Sequence, residues 1–399
     1  MPYVVTPVSP KGAVPSLSQL LSGETAPVNH KPRRYPGTLT RFYACLPTGL
    51  YRPEDVRRLT SSLKPLAHAA SCYPAFLAGQ YRMFQIPKHS GGMRSICEPK
   101  PRLYAYQLAL RELLVNEFGA SHHTTAFAYC KGRSIKHCMQ RHQANKSRWF
   151  LKLDFEDFFG STNMRFVLSQ LSSIAPFSEI LADAEGKALL TSALRPCFLN
   201  DGLPQGTPIS PMLTNLVMIP FDHILNKRLH ALGFVYTRYA DDIQISHRNH
   251  FDPDAIVQIV NDTIAEVGAP YHLKTAKTRF GSSSGRNFNL GLMLNKDNRI
   301  TIGHEQHKIM KAKLHHFAAD LKNGKKWSQE EAAKLMGQLA YFEAIEPDTA
   351  AYTVYHLSQK LEMNIKSELA KATSHSEGLT PFQRWAMFEN EVIQNAHAS

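Results

Sequence analysis

The sequence predicts an α+β fold, with strands and helices mixed up to about residue 302 and helices alone beyond it. Three observations predict this. Trp149 to Phe155 is a short, largely apolar strand with an acid near its end. Phe234 to Tyr239 and Ile243 to Ser246 both read as strands, with Ala240-Asp241-Asp242 between them as the tip of a hairpin. After Ile302 the apolar residues recur only at helical spacing.

Residues 1 to about 35 carry Pro, Ser, Gly and a basic Lys31-Pro32-Arg33-Arg34 without periodicity, and read as a loosely ordered arm. From Tyr81 the chain alternates through Phe84 and Ile86, breaks at Ser90-Gly91-Gly92 and resumes through Arg94 and Ile96, predicting a β-hairpin. Leu103, Leu108, Leu110, Leu113 and Leu114 then take helical spacing. Behind the strand at 149–155, Met164, Val167, Leu168 and Leu171 predict a helix capped by Ser161 or Asn163.

After Gly202-Leu203-Pro204-Gln205-Gly206, Pro208 is expected at the first position of a long helix that Pro220 kinks or ends. Ile256, Val260, Ile264 and Val267 mark a further helix, followed by the basic stretch Lys274 to Arg279. The last quarter reads as helices on Met310, Leu314, Phe317 and Leu321, on Leu335 and Leu339 behind a Ser328/Glu331 capping box, and on Leu357, Leu361, Ile365 and Leu369.

With 399 residues and 43% hydrophobic content, the chain can bury a sizeable core in two or three lobes. Its 46 Lys and Arg against 33 Asp and Glu give a net charge of +13. That balance suits a protein that neutralises phosphates along an extended path, and ribosome-associated and membrane-surface proteins share it. No apolar run reaches the roughly 18 residues of a membrane span, and Met1 to Pro10 lacks a signal-peptide pattern, so a cytoplasmic protein without a membrane partner is expected. The six cysteines form no Cys-x-x-Cys pair, which argues against a zinc ribbon or a disulfide framework. Cys130, His137, Cys138 and His142 are close in sequence but lack finger spacing, and read as buried thiols and surface histidines.

The chemistry resides in the acids. Nucleotidyl transfer needs two divalent cations about 4 Å apart, one activating the attacking hydroxyl and one neutralising the leaving pyrophosphate. Asp154 at a strand's end and Asp241-Asp242 at a hairpin tip are 241 − 154 = 87 residues apart, and meet if their strands are neighbours in one sheet. Bound Mg²⁺, a hard cation preferring oxygen ligands, removes the repulsion among them. Taken singly, an Asp-Asp pair is an ordinary solvated turn and Asp154 an ordinary helix cap.

Five ordered motifs carry a resemblance to the reverse transcriptases over about residues 80 to 345. They are Phe84-Gln85-Ile86-Pro87-Lys88, Gly91-Gly92-Met93-Arg94, Leu153-Asp154-Phe155-Glu156-Asp157-Phe158-Phe159, Leu203 through Gln205-Gly206 to Pro211, and Tyr239-Ala240-Asp241-Asp242. The resemblance implies a right-hand polymerase: an arm with leading helices over 1–59, fingers and palm over 60–302, and a helical thumb with its tail over 303–399. It implies that Asp154 and Asp241 bind both Mg²⁺ ions with Asp242 beside them, and that the Phe155 carbonyl completes one coordination sphere. Phe159 would be the steric gate against a ribose 2′-hydroxyl. Lys88 and Arg94 would grip the dNTP triphosphate, Gln205 would line the nucleotide pocket, and Lys277, with Lys274 as competitor, would approach the leaving pyrophosphate. Lys308, Lys311, Lys313, His315 and His316 would track the template-primer backbone. Each has an ordinary counterpart: a core aromatic, a loop glutamine, solvated basic side chains.

Among reverse transcriptases the likeness is to the retron group and related antiphage-defence enzymes. Gly132-Arg133-Ser134-Ile135 followed by His142 resembles a retron segment that serves RNA recognition, and Leu314-His315-His316 with Ala340-Tyr341 and Ile345-Glu346-Pro347 resembles its thumb. Cys138-Met139 and Asn289-Leu290-Gly291 depart from the retron pattern. The likeness implies a structured noncoding RNA as template and primer, a joined RNA–DNA product, and a separate effector protein in phage defence. An RNA-binding scaffold that holds an effector inactive, and a defence polymerase with a different template or none, are the alternatives; the intact acids favour an active polymerase.

Overall fold

The computed structural model describes residues 42–43, 53–74, 77–87, 92–116, 122–285 and 289–373. The N-terminal arm, Lys88 and the tail from 374 lie outside these residues. After a two-residue strand β1 (Phe42–Tyr43), helix α1 (Pro53–Ser71) buries Leu59 and Leu63 one turn apart. It spans residues 59 and 60 without a break.

Strands β2 (Tyr81–Pro87) and β3 (Met93–Pro99) form the expected hairpin, in register from Tyr81 opposite Pro99 to Pro87 opposite Met93. Helix α2 (Pro101–Asn116) packs Leu103, Leu110 and Leu114 inward, and α3 (Ile135–Ala144) is capped by the Ser134 hydroxyl, which accepts from the His137 N–H. Strand β4 (Trp149–Asp154) leads into a short turn of helix, α4 (Phe158–Ser161), and then α5 (Met164–Leu171), where Asn163 rather than Ser161 is the cap, its Oδ1 accepting from Phe166 N–H at 2.8 Å. Strand β5 (Ile174–Ala175) pairs in parallel with β1, and α6 (Phe177–Ala182) and α7 (Ala184–Leu194) follow.

The long helix expected from Pro208 is two helices, α8 (Ser210–Val217) and α9 (Ile219–Ala231). It opens two residues late because the Ser210 hydroxyl bonds the Pro204 carbonyl at 2.9 Å and the Thr207 hydroxyl at 2.6 Å, which holds the loop in a turn through residue 209. Pro211 then occupies its first turn, and Pro220 the first turn of α9, where a missing N–H costs nothing.

Strands β6 (Val235–Tyr239) and β7 (Asp242–His247) form the acidic hairpin; α10 (Pro253–Glu266) and β8 (Arg279–Ser282) come next. The four strands make one antiparallel sheet in the order β6-β7-β4-β8. Its two faces back onto different cores. Leu151, Leu153, Ile243 and Ile245 belong to a first core with α8, α9 and α10. Phe150, on the alternate face of β4, belongs to a second core.

That second core joins α3, the small pair β9 (Met293–Leu294) and β10 (Ile300–Thr301), and the helices that follow. These are α11 (His304–Lys322), α12 (Gln329–Ile345), α13 (Pro347–Lys360) and α14 (Ile365–Thr373). Ser328 and Glu331 form the expected capping box. The Leu357 to Leu369 pattern is broken between α13 and α14, where Glu362 takes φ +45° and the chain turns. No helix among the described residues is long and apolar enough to cross a membrane.

Candidate active site

The sheet register brings the acids together. Asp154, the last residue of β4, lies directly opposite Asp242, the first of β7. Asp241 is in the two-residue loop that closes β6 and β7, and its carbonyl accepts the Phe155 N–H at 3.2 Å. Asp154 and Asp242 are buried, and Asp241 is half-buried. Burial, with the charges of Asp242 and Asp154 added, pushes the Asp241 carboxyl up to about 7.

Two lysines supply opposite charge. Lys277 Nζ donates to Asp154 Oδ2 at 2.8 Å. Burial alone would lower this ammonium's pKa, but the Asp154 bond and the Asp154, Asp241 and Asp242 charges outweigh it and raise the value. Lys274 contributes only its backbone N–H, bonded to the Asp154 carbonyl at 2.8 Å. Lys152, two residues before Asp154 and so on the same strand face, places Nζ 3.2 Å from Asp242 Oδ1 without hydrogen-bond geometry. This buried oxygen has an ionic neighbour but no donor.

Around the acids the chain is closely knitted. The Phe155 ring stacks among Phe158, Phe221 and Tyr271, leaving only its backbone toward the acids. Phe159 is half-buried, edge-on to Phe158, and its carbonyl accepts the Leu203 N–H at 3.0 Å. A Cβ on Gly202 would lie 2.1 Å from the Gly160 carbonyl oxygen, so glycine permits this approach. Half-buried Gln205 uses its own carbonyl to accept the Cys97 N–H at 2.8 Å, tying its loop to β3. Arg94 is exposed on β3 beside that loop's attachment.

Residues 86–323 match the family described as reverse transcriptase (RNA-dependent DNA polymerase). The retron Ec73 reverse transcriptase of Escherichia coli is 30% identical over 67% of this chain and 83% of its own length. The retron Mx65 reverse transcriptase of Myxococcus xanthus is 29% identical over 74% of this chain and 69% of its own. The chain belongs to the reverse transcriptases. Its kinship within them is with bacterial retron enzymes, and it is an RNA-directed DNA polymerase with the right-hand fold. Among solved structures, apo telomerase from Candida Tropicalis is similar over 88% of this chain and 69% of that one, at 10% identity and a TM-score of 0.41.

Reverse transcriptases are divalent-metal-dependent polymerases as a family. Among the described residues no three His, Cys, Asp or Glu side chains are already arranged as a metal cage. The acids nonetheless fit such ions: they are hard oxygen donors, they repel one another, and Asp242 Oδ1 is buried with no donor. A magnesium site typically uses one or two carboxylates with substrate phosphates and waters, not a closed protein cage.

Of the two expected RNA contacts, His142 and Arg133, burial speaks against His142 alone. His142 is fully buried, its ring nitrogens bonded to the Ser246 and Thr237 hydroxyls at 2.6 and 2.8 Å, and burial lowers its pKa to about 3. A neutral ring locked inside the reverse transcriptase cannot touch a phosphate, and the expectation of surface histidines fails for His142 while exposed His137 meets it. Half-buried Arg133 stacks on Phe127 and its Nη1 donates to the carbonyls of His123, Thr124 and Ala126, which ties down its own loop. Cys130 and Cys138 are the buried thiols expected. On α11, Lys308, Lys311, His315 and His316 are exposed, whereas Lys313 bonds Gln338 Oε1 at 2.8 Å.

Sequence reasoning missed Lys152 and the fully buried pair Arg238–Asp222. Both had a signal: Lys152 alternates with Asp154 along one strand, and Arg238 is a charge inside an otherwise apolar strand.

Proposed function

We propose that this reverse transcriptase copies a structured noncoding RNA into DNA at a site formed by Asp154, Asp241 and Asp242, yielding a retron-type RNA–DNA product. The observation that carries the reading is the cross-strand register of Asp154 with Asp242, which brings acids 88 residues apart in the chain together (242 − 154 = 88), with Asp241 beside them. Two Mg²⁺ ions, when bound, would activate the attacking hydroxyl and neutralise the pyrophosphate. Asp154 and Asp241 would hold both, with Asp242 and the Phe155 carbonyl beside them.

The chain's own residues supply the rest. Phe159, half-buried at the exit of β4, would exclude a ribose 2′-hydroxyl and so select dNTPs. Arg94, Lys88 and Gln205 would orient the triphosphate and base. Lys277, with its side chain 42% exposed, has room to leave Asp154 and give a proton to the leaving pyrophosphate. The exposed bases on α11 would follow the template-primer backbone. Retron kinship supports a noncoding RNA partner, which would be recognised by shape and loops; a separate effector protein would join the two in antiphage defence.

The test expresses the chain with its native flanking DNA, recovers bound nucleic acid, and sequences it after separate RNase and DNase treatment. A DNA covalently joined to one noncoding RNA, and absent from Asp241→Asn, is the expected result. Bound RNA with no DNA in either protein would instead establish a non-synthesising scaffold.

A further inference from the structure

Arg238 has no part in the chemistry above, yet it is the charged side chain most completely enclosed near the acids. It lies on β6, three residues before Asp241, and is 0% exposed. A buried guanidinium is costly unless its donors are met. Nε and Nη2 donate to the two carboxylate oxygens of Asp222 at 2.9 and 2.8 Å. The Tyr236 hydroxyl donates to the same Asp222 at 2.6 Å, which fixes the carboxylate from a second side. Nη1 is thereby aimed at Asn215 Oδ1, 3.2 Å away, and at the Ala240 carbonyl oxygen, 3.1 Å away.

Ala240 is the first residue of the catalytic loop and has φ +57°. Glycine favours that position in a two-residue hairpin, and a side chain there costs about 1–2 kcal/mol, so the conformation persists only where its surroundings over-determine it. Arg238 is such a surrounding. It is itself held from outside: its N–H donates to the Thr125 carbonyl at 2.8 Å and its carbonyl accepts the Phe127 N–H at 2.9 Å. Arg133 gathers the carbonyls of that same segment, and Asn215 Nδ2 donates to the Ala128 carbonyl at 2.7 Å.

We propose that Arg238 is a positioning residue: clamped by Asp222 and Asn215, it grips the Ala240 carbonyl and sets the strained tip that aims Asp241 and Asp242, with residues 123–133 as its outer brace. A pair this buried contributes little net stability compared with well-packed apolar residues, so its effect is on geometry. The inference rests on Asp241 and Asp242 being the metal-holding acids.

The experiment titrates the full chain with Mn²⁺ alone, reading free ion by electron paramagnetic resonance, then measures primer extension across Mn²⁺ concentrations and the melting temperature. The proteins are wild type, Asp241→Asn, Arg238→Lys, and the triple variant Asp222→Leu, Tyr236→Phe, Arg238→Met, which removes the clamp without leaving its charges unpaired. The expected result is that Asp241→Asn loses Mn²⁺ binding, while Arg238→Lys and the triple variant bind Mn²⁺ about tenfold more weakly. Both also lose about 10²-fold in kcat with KM for dNTP little changed. Half-saturation does not depend on the folded fraction, so Arg238→Lys decides the matter even if the triple variant folds poorly. Wild-type Mn²⁺ affinity and kcat in Arg238→Lys, or their return in a triple variant of restored melting temperature, would show that the clamp only stabilises and would overturn the proposal. Undiminished Mn²⁺ binding by Asp241→Asn would overturn the metal reading itself, and this inference with it.

Discussion

Two substitutions test the selectivity roles proposed for single side chains at this site. Phe159→Ala removes the half-buried ring at the exit of β4, and the variant is expected to incorporate ribonucleotides in a primer-extension assay; unchanged dNTP selectivity would remove Phe159 from the gate. Gly202→Ala drives a methyl into the Gly160 carbonyl, so the loop carrying Gln205 must back away from Phe159. Overpacking of this kind costs about 1–3 kcal/mol, seen as a lower melting temperature, and the expected companion is a raised KM for dNTP. At this scale the acids were legible because they break a rule: charges on an apolar hairpin are there for a reason. Arg238 and Lys152 break the same rule, but each was absorbed into a strand pattern that records only alternation. His142 was misjudged because a motif gives a residue's company along the chain, whereas its burial depends on β6 and β7, about a hundred residues away.

Elements are held by a few polar contacts whose protonation can be followed. His142 joins α3 to β6 and β7 as a neutral ring, with a folded pKa of about 3 against an ordinary 6.5. The unfolded chain therefore takes up the proton first, so the stability His142 confers is complete above pH 6.5 and is lost progressively as pH falls toward 3. Wild-type melting temperature should fall between about pH 7 and pH 5, and His142→Gln should flatten that fall. Glu346, between α12 and α13, has one carboxylate oxygen accepting from the Thr301 hydroxyl, the Ile302 N–H and His307 Nε2, all within 2.9 Å. Burial alone would raise its pKa, but these donors outweigh burial and lower it. Glu346→Ala should cost about 2 kcal/mol in denaturant unfolding, since charged hydrogen bonds are lost and donors are left unmet. The Ser328–Glu331 box was readable, and Asn163 was one of two caps named for its helix, because such caps are made within four residues. The late start at Ser210 was not, because hydroxyl bonds back to Pro204 compete with helix in a way no propensity records.

For the whole molecule, the +13 charge predicts binding to a template-primer that weakens steeply with salt, with a log–log slope of several units in a titration from about 50 to 200 mM KCl. A slope near zero would mean that the exposed bases of α11 do not lie along phosphates. The α+β class and the helices described over 304–373 were legible from periodicity. The strand order β6-β7-β4-β8 was not, since apolar alternation fixes which face of a strand is buried but not which strand lies beside it.

That order has one more consequence. Strand β4 is a party wall: Leu151 and Leu153 close the first core while Phe150 needs the second, whose helices are the last described parts of the chain. During synthesis on the ribosome, Asp154, Asp241 and Asp242 all emerge while residues 304–373 are still to be made. A nascent chain is therefore expected to carry all three proposed catalytic acids and yet be inert, the Phe150 face of its central strand covered by α3 alone, so that DNA synthesis starts only once translation has moved past the last described helices.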